Sequence, residues 1–140
     1  MLKQLKLPTD LESIFKKQAT LSLATADPTG KPNSSYVRFW WIQGDKIVLI
    51  NNFMNKTRSN MEKTGWASVS AYDMETHKAY QVKGKVEFKT AGPEYEQGKA
   101  MAQKFHEQSG MMLPAKEAVI LTPREIYYLQ PGPDAGKKVE

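Results

Sequence analysis

Short apolar segments separated by turn signals constrain the fold of this chain more than any other sequence feature. Leu21 and Leu23 alternate with small polar residues through Ala26, as in a half-buried strand, and residues 27–30 read Asp-Pro-Thr-Gly, which suits a type I turn. Further strand-like segments follow at short spacing without a regular alternation of strand and helix, which favours an antiparallel barrel over a parallel sheet. The predicted strands are residues 20–26, 33–42, 46–51, 66–72, 79–89 (with a bulge or bend at Gly84), 118–121 and 126–129.

Three helices are predicted among these strands. Apolar residues at helical spacing between residues 7 and 15, with Thr9 and Glu12 as a capping box, predict a longer N-terminal helix. A short helix is expected over residues 56–64, and a second longer helix lies between residues 94 and 108.

Length and composition limit the classes of protein to consider. A chain of 140 residues is long enough for one core, so a single domain over residues 1–140 is expected. The absence of cysteine excludes a disulfide framework, a zinc-thiolate site, an iron–sulfur cluster and thiol catalysis. Residues 1–18 alternate lysines with leucines, and no later segment reaches membrane-spanning length. We therefore expect a cytoplasmic protein with no membrane segment, whose chemistry uses another group or a bound cofactor.

The formal net charge of +5 raises the question of nucleic-acid binding, which requires clustered Lys and Arg. Lys16-Lys17 and Lys137-Lys138 are the only basic doublets, and acidic residues intervene nearly everywhere else. A small anionic ligand accounts for a modest positive excess equally well. No nucleic-acid partner is expected.

The strongest local signal is the junction at residues 50–60, where a hydrophobic strand gives way to a helix that opens at Lys56, with Asn55 placed as its N-cap. The N–H groups of a first helical turn carry a partial positive charge, and residues 56–59 add cations and hydroxyl donors, so the turn fits a phosphate. An ordinary capped helix with solvated bases fits equally well. No glycine-rich nucleoside-triphosphate loop occurs. The candidates at this junction are Asn55 as the N-cap, and Lys56, Thr57, Arg58 and Ser59 as the cations and hydroxyl donors.

Hydroxyl-bearing residues on the strand before that junction form a second candidate. The segment is residues 33–38, Asn-Ser-Ser-Tyr-Val-Arg. Its small hydroxyl side chains, Ser34 and Ser35, leave room for a flat ligand, and with the backbone they supply donors and acceptors that match those of an isoalloxazine ring. Alone, these serines are also typical of a solvent-facing strand. His77 and His106 show no metal-ligand spacing, so no metal site is expected and both are interpreted as surface residues.

The order of these segments resembles the FMN-binding split-barrel family, which includes pyridoxamine-phosphate oxidase-like proteins and small bacterial FMN-binding proteins. The resemblance covers nearly the whole chain and rests on the order and spacing of residues 21–25, 30–36, 51–60, 81–86 and 122–129. It implies a mainly β fold, a six- to seven-stranded antiparallel split barrel with two longer helices and one short helix.

The resemblance also implies a cofactor. In that family the Lys-Thr pair after the third strand binds the FMN phosphate, which here corresponds to Lys56 and Thr57. The second strand and the end of the third line the flavin ring, which implicates Ser34, Ser35, Tyr36, Asn51 and Asn52. The family also places the flavin at a two-fold dimer interface, so a homodimer is expected.

The aromatic run Tyr36, Phe39, Trp40 and Trp41 favours a dimer as well, because it exceeds what one face of a small barrel strand can bury. The expected function is that of an FMN-binding flavoprotein, an oxidoreductase or electron carrier whose catalytic residues stay unassigned. The alternative is a non-catalytic module that binds flavin, haem or a deazaflavin. The chain is shorter than pyridoxamine-phosphate oxidases proper and lacks their basic cluster for the substrate phosphate, so oxidation of vitamin B6 is not expected.

Residues 131–136 contain two prolines and two glycines and can form a defined loop without regular structure. Two interpretations stay open: a frayed terminus, or a loop that reaches the flavin edge, across the dimer or within one chain, and keeps water from the ring.

Overall fold

The structure is a computed structural model that describes residues 5–140. Seven strands form one antiparallel sheet in the order β2-β1-β5-β6-β7-β4-β3, curled into a half-barrel, and three helices pack on it, which confirms the predicted fold class. Within the described residues, no helix is both long and apolar enough to cross a membrane. The elements in chain order are α1 (Leu11–Lys16), β1 (Leu21–Ala26), β2 (Pro32–Val37), β3 (Trp40–Gln43), β4 (Lys46–Asn51), α2 (Lys56–Thr64), β5 (Trp66–Tyr72), β6 (Ala79–Lys89), α3 (Pro93–Ser109) and β7 (Glu117–Tyr128).

The segment predicted as one strand over residues 33–42 is two strands. β2 pairs with β1, whereas β3 forms the expected hairpin with β4, so these consecutive strands lie at opposite edges of the sheet order. Only Arg38 and Phe39 separate them, and two residues span at most about 7 Å. The sheet must therefore curl until its edges meet. The N–H of Ile50 on β4 donates to the carbonyl of Phe39 at this junction.

The two C-terminal strands predicted over residues 118–121 and 126–129 are one continuous strand, β7. Pro123 lies within it, opposite Gly84 of β6, where the pairing register shifts between Lys83 and Gly84. A Cβ at Gly84 would lie 2.3 Å from the carbonyl oxygen of Thr122, so only glycine allows the strands to approach this closely. The predicted bulge at Gly84 therefore lets β7 continue through a residue that has no N–H to donate.

The helices differ from the prediction mainly at the N-terminus. α1 has six residues and begins after Asp10, so the capping box of Thr9 and Glu12 is wrong. Leu7 precedes the helix, and its N–H donates to the Asp45 carboxylate. The apolar spacing that suggested a longer helix therefore includes a residue held by a loop. α2 has the predicted bounds and α3 has 17 residues, so one helix is long and two are short.

β4 is buried on both faces and separates two clusters of apolar side chains. Ile47 and Leu49 belong to the main core inside the half-barrel, while Val48 and Ile50 pack in a second cluster beneath α3. A Cβ at Gly98 of α3 would lie 2.3 Å from Cδ1 of Ile50, so the helix contacts this strand at its closest point through a residue without a side chain. This packing fixes the end of β4, which leads into α2.

The C-terminal segment folds back on β7, so it is not the frayed terminus of the first interpretation. The N–H of Gly136 donates to the carbonyl of Tyr128 (2.7 Å), and the N–H of Val139 donates to that of Ile126 (2.8 Å). Val139 also packs against the main core. The segment is therefore an ordered turn held by main-chain hydrogen bonds.

Candidate cofactor-binding site

A cavity of about 410 Å³ lies where β2 faces the loop from β4 to α2. Seven of the eight residues predicted to bind a cofactor line it, and only Asn51 does not. The structure thus places the hydroxyl-bearing strand and the first turn of α2, which were selected separately from the sequence, in one wall of the cavity. The lining residues are Asn33, Ser34, Ser35, Tyr36, Val37, Arg38, Ile50, Asn52, Phe53, Met54, Asn55, Lys56, Thr57 and Leu113.

The first turn of α2 is attached to β2 through one hydroxyl. Thr57 is buried, and its Oγ1 accepts a hydrogen bond from Asn33 Nδ2 (3.0 Å) and lies 3.0 Å from Ser35 Oγ. The Thr57 side chain is therefore already bonded within the protein. Its structural contribution is to hold the N-terminus of α2 against the strand that lines the cavity.

The same helix terminus leaves polar groups open to a ligand. Asn55 occupies the predicted N-cap position, but its side chain makes no capping hydrogen bond to the helix. The first-turn N–H groups thus lack the partner that an N-cap side chain supplies, and Lys56 beside them is exposed. The first turn contains no acidic residue. This combination of unpaired donors and a free cation suits an anion such as a phosphate.

Asn51 supports the cavity from behind and does not line it. The side chain is buried, its Nδ2 donates to Glu117 Oε2 (2.8 Å), and its Oδ1 accepts the N–H of Met54 (2.9 Å). Asn51 therefore does not line the cavity in this structure, and its place beside a flavin ring stays a prediction. An asparagine at the end of a strand is equally suited to holding the following loop, and the sequence offers no means of separating the two roles.

Arg58 is also occupied by the protein. Its Nε donates to Glu117 (2.5 Å), Nη1 donates to Glu62 (3.1 Å), and its guanidinium lies 3.6 Å from the ring centroid of Phe88. The hydrogen bond that Arg58 donates to Glu117 raises the pKa of the guanidinium further, despite partial burial, so the group stays charged. Of the two cations expected at the first turn, Lys56 is the one that lines the cavity.

Seven of the lining residues were not among the eight predicted ligands, and Arg38 and Leu113 are the two of these whose contacts bear on the site. Arg38 follows β2 and adds a second exposed cation to the lining, with its guanidinium 4.8 Å from the ring centroid of Phe105. Leu113 comes from the segment after α3, and Asn52 Nδ2 donates to its carbonyl and to that of Pro114. The position of Arg38 next to the predicted serine strand was an available signal. Nothing local in the sequence links Leu113 to Asn52, which is 61 residues away.

The four residues of the aromatic run lie in different surroundings, so they do not form one continuous patch. Phe39 is buried, and Trp40 packs edge-to-face on Phe15 in the main core. Trp41 packs against the second cluster. Tyr36 alone of the four is largely exposed, at 79%. Packing within one chain therefore buries Phe39 fully and Trp40 and Trp41 in part, and the homodimer stays a prediction. His106 is also not simply a surface residue, because its Nδ1 is buried.

A face of small side chains covers the outside of the sheet next to the cavity. The pairing register aligns Ser34 with Ala24, Ala24 with Ser68, and Ser68 with Lys83 across β2, β1, β5 and β6. Residues in register point to the same side of a sheet. We call this surface the outer face. It is continuous with the cavity, since Ser34 belongs to both.

A family model described as pyridoxamine 5'-phosphate oxidase matches residues 7–130. The chain belongs to the pyridoxamine 5'-phosphate oxidase family. An uncharacterised protein of Methanocaldococcus jannaschii is 35% identical to this chain over 125 residues, and the match covers 84% of this chain and 77% of that protein. These matches confirm the resemblance inferred from the sequence.

Solved structures extend the comparison. HupZ of Group A Streptococcus is 28% identical with a TM-score of 0.76, and the match covers 93% of this chain and 99% of HupZ. An FMN-binding protein from Syntrophomonas wolfei shares the fold at 15% identity, with a TM-score of 0.71 and coverage of 88% and 86%. The haem storage protein HutZ of Vibrio cholerae and an F420 reductase also share it, at TM-scores of 0.61 and 0.64. Proteins with this fold are thus described with more than one cofactor.

Proposed function

We propose that this member of the pyridoxamine 5'-phosphate oxidase family binds FMN in the cavity between β2 and α2. The observation that carries the proposal is the single wall formed by the hydroxyl-bearing strand and the open first turn of α2 beside Lys56. FMN has the matching chemistry, a phosphomonoester at one end and a flat ring with donors and acceptors at the other.

The residues present fit the two ends of FMN differently. Lys56 and the first-turn N–H groups of α2 would hold the phosphate by charge-assisted hydrogen bonds. Ser34, Tyr36 and Asn52 line the part of the cavity formed by β2 and the end of β4, and they would face the ring. Thr57 would act indirectly, because its hydroxyl is bonded to β2.

The proposed activity is that of an oxidoreductase or electron carrier. When bound, the isoalloxazine ring supplies the hydride or electron transfer, and the protein supplies position, electrostatics and exclusion of water. Arg38 and Lys56 place two positive charges along the cavity, which favour a negatively charged ligand. None of the cavity residues is assigned as a general acid or base.

A homodimer is part of the proposal. Tyr36 is largely exposed at the cavity, and the outer face beside it has the small side chains that allow close approach of another flat surface. Ser70 and Ser22 extend this face in the next row of the register. A second copy packed here would cover Tyr36 and the open side of the cavity, and it would complete the exclusion of water from the ring.

An absorption spectrum of freshly purified protein tests the cofactor class. Bound FMN gives flavin absorption, while haem or a deazaflavin gives a different spectrum. These two alternatives are tested because proteins with this fold include the haem storage protein HutZ and an F420 reductase. Reconstitution with each of the three cofactors in turn covers the case in which the protein is purified without a chromophore. A protein that takes up haem or F420 and not FMN would overturn the proposed function.

A further inference from the structure

We infer that Glu117 is the positioning residue of the candidate FMN site. It lies at the first position of β7, is buried, and does not line the cavity. This inference rests on the proposed function and deepens it, because it assigns the geometry of the phosphate-binding turn to a residue that contacts no ligand.

One carboxylate oxygen holds both ends of the loop that carries the site. Glu117 Oε2 accepts from Asn51 Nδ2 at 2.8 Å, where β4 ends, and from Arg58 Nε at 2.5 Å, in the first turn of α2. The residues between them include Asn52, Asn55 and Lys56, which line the cavity. Fixing both ends of a short loop limits the conformations that its middle can adopt.

Further hydrogen bonds transmit this constraint into the loop itself. Asn51 Oδ1 accepts the N–H of Met54, and the Asn51 carbonyl accepts the N–H of Lys116, next to Glu117. Asn51 thereby contacts both the loop between β4 and α2 and the residue that immediately precedes β7. If Glu117 no longer accepts its amide, Asn51 loses the partner that sets its orientation.

The charge of Glu117 argues for a positional role. A buried carboxylate close to an anion site opposes anion binding unless its charge is balanced. Arg58 balances it, and the contact with Phe88 holds the guanidinium in place. The pair therefore adds little net charge to the site, and its contribution is geometry. It also keeps Arg58 committed to the protein, so Lys56 is left as the cation of the turn that lines the cavity.

Glu117→Gln is the first test, because it preserves the shape and removes the charge-assisted acceptor. We expect FMN affinity to fall by about tenfold, the size of one charge-assisted hydrogen bond. Riboflavin affinity should change by less than about twofold, because Asn52, which would face the ring, is held separately by the carbonyls of Leu113 and Pro114. Riboflavin lacks the phosphate, so the ratio of the two affinities reports on the turn alone. Arg58→Lys keeps the cation but loses the fork of donors, and it should give the same selective loss.

Glu62→Gln is the matched control. Glu62 also accepts a hydrogen bond from Arg58, but it is exposed and holds nothing else in the loop. This substitution removes a carboxylate from the same guanidinium, and we expect both affinities to stay within twofold of the wild type. An equal loss in Glu62→Gln and Glu117→Gln would show that removing either carboxylate partner of Arg58 has the same effect, and it would overturn the inference.

Hydrogen exchange of the unliganded protein supplies a readout that needs no flavin. The N–H of Met54 should exchange faster in Glu117→Gln and not in Glu62→Gln, with the core strands unchanged. Unchanged exchange at Met54, tighter FMN binding through a released Arg58, or equal losses for FMN and riboflavin would each contradict the inference. If the wild-type protein binds no FMN, the proposed function fails, and the exchange of Met54 still decides whether Glu117 fixes the loop.

Discussion

The Oγ of Ser35 on β2 lies 3.0 Å from the Oγ1 of Thr57 in the first turn of α2. The two residues are 22 positions apart, and this contact connects an edge strand of the sheet to the helix that would bind a phosphate. The candidate site therefore depends on β2 and α2 keeping one relative position. The hydroxyl-bearing strand and the first turn of α2 form the site only together.

Thr57→Val tests this connection. Valine has nearly the same shape, but it leaves Asn33 and Ser35 without their shared partner, so we expect a loss of about 1–2 kcal/mol in the free energy of unfolding. Urea denaturation followed by tryptophan fluorescence measures it. Thr57→Ser retains the hydroxyl and should lose much less. Equal losses in the two variants would show that packing of the methyl group, and not the hydrogen bonds, joins the elements.

Gly98→Ala tests the packing of α3 on the strand that leads to the site. The new Cβ would lie 2.3 Å from Cδ1 of Ile50, so the Ile50 side chain must adopt another rotamer in a packed cluster or the helix must move away, at a cost of about 1–3 kcal/mol. Ile50 lines the cavity, and FMN affinity should therefore fall as well. A stability equal to or above that of the wild type would contradict the close approach described here.

The outer face makes the proposed dimer testable. Ala24→Arg places a long charged side chain among Ser34 and Ser68, and we expect it to turn a dimer into a monomer in light scattering at micromolar concentration. Lys104→Glu changes an exposed residue of α3, away from this face, and should leave the mass unchanged. A wild-type protein that is monomeric with flavin bound would refute the dimer.

Removal of the segment after Gln130 tests whether this segment stabilises the fold or covers the flavin. Truncation removes Val139 from the core and its main-chain hydrogen bond to Ile126, so we expect a loss of about 1–2 kcal/mol in stability. In one protomer the segment contributes nothing to the lining of the cavity, so FMN affinity should be unchanged. Increased access of a soluble quencher to the flavin would support a covering role across the dimer instead.

Much of the fold follows from local sequence, because turns and periodicity are local properties. The bounds of α2 follow from its polar first turn and from Gly65, which adopts a φ of +76° that favours glycine. The break between β2 and β3 could not be predicted. Arg38 and Phe39 have residue types that suit a strand, and the break exists because the chain must cross from one sheet edge to the other.

For the candidate site too, local features could be predicted from the sequence and contacts between distant residues could not. Residues that face the cavity come from two short segments and could be selected from their chemistry, whereas the partners that orient them are distant in sequence. Glu117 lies 59 residues after Arg58 and 66 after Asn51, so its role appears only once β7 is paired with β4. The hydrogen bonds by which Asn51 holds the loop could not be predicted from the sequence for the same reason.

Lys56→Ala combined with flavin titration tests the central claim most directly, because Lys56 is exposed and its removal should change stability by less than about 0.5 kcal/mol. Lys63→Ala, at the exposed end of the same helix, is the matched control.

We predict that the wild-type protein binds FMN more tightly than riboflavin by at least one charge-assisted contact, about 1.5–3 kcal/mol. Lys56→Ala should remove most of this difference, and Lys63→Ala should retain it. Equal affinity of the wild-type protein for FMN and riboflavin, or no binding of either, would contradict the account.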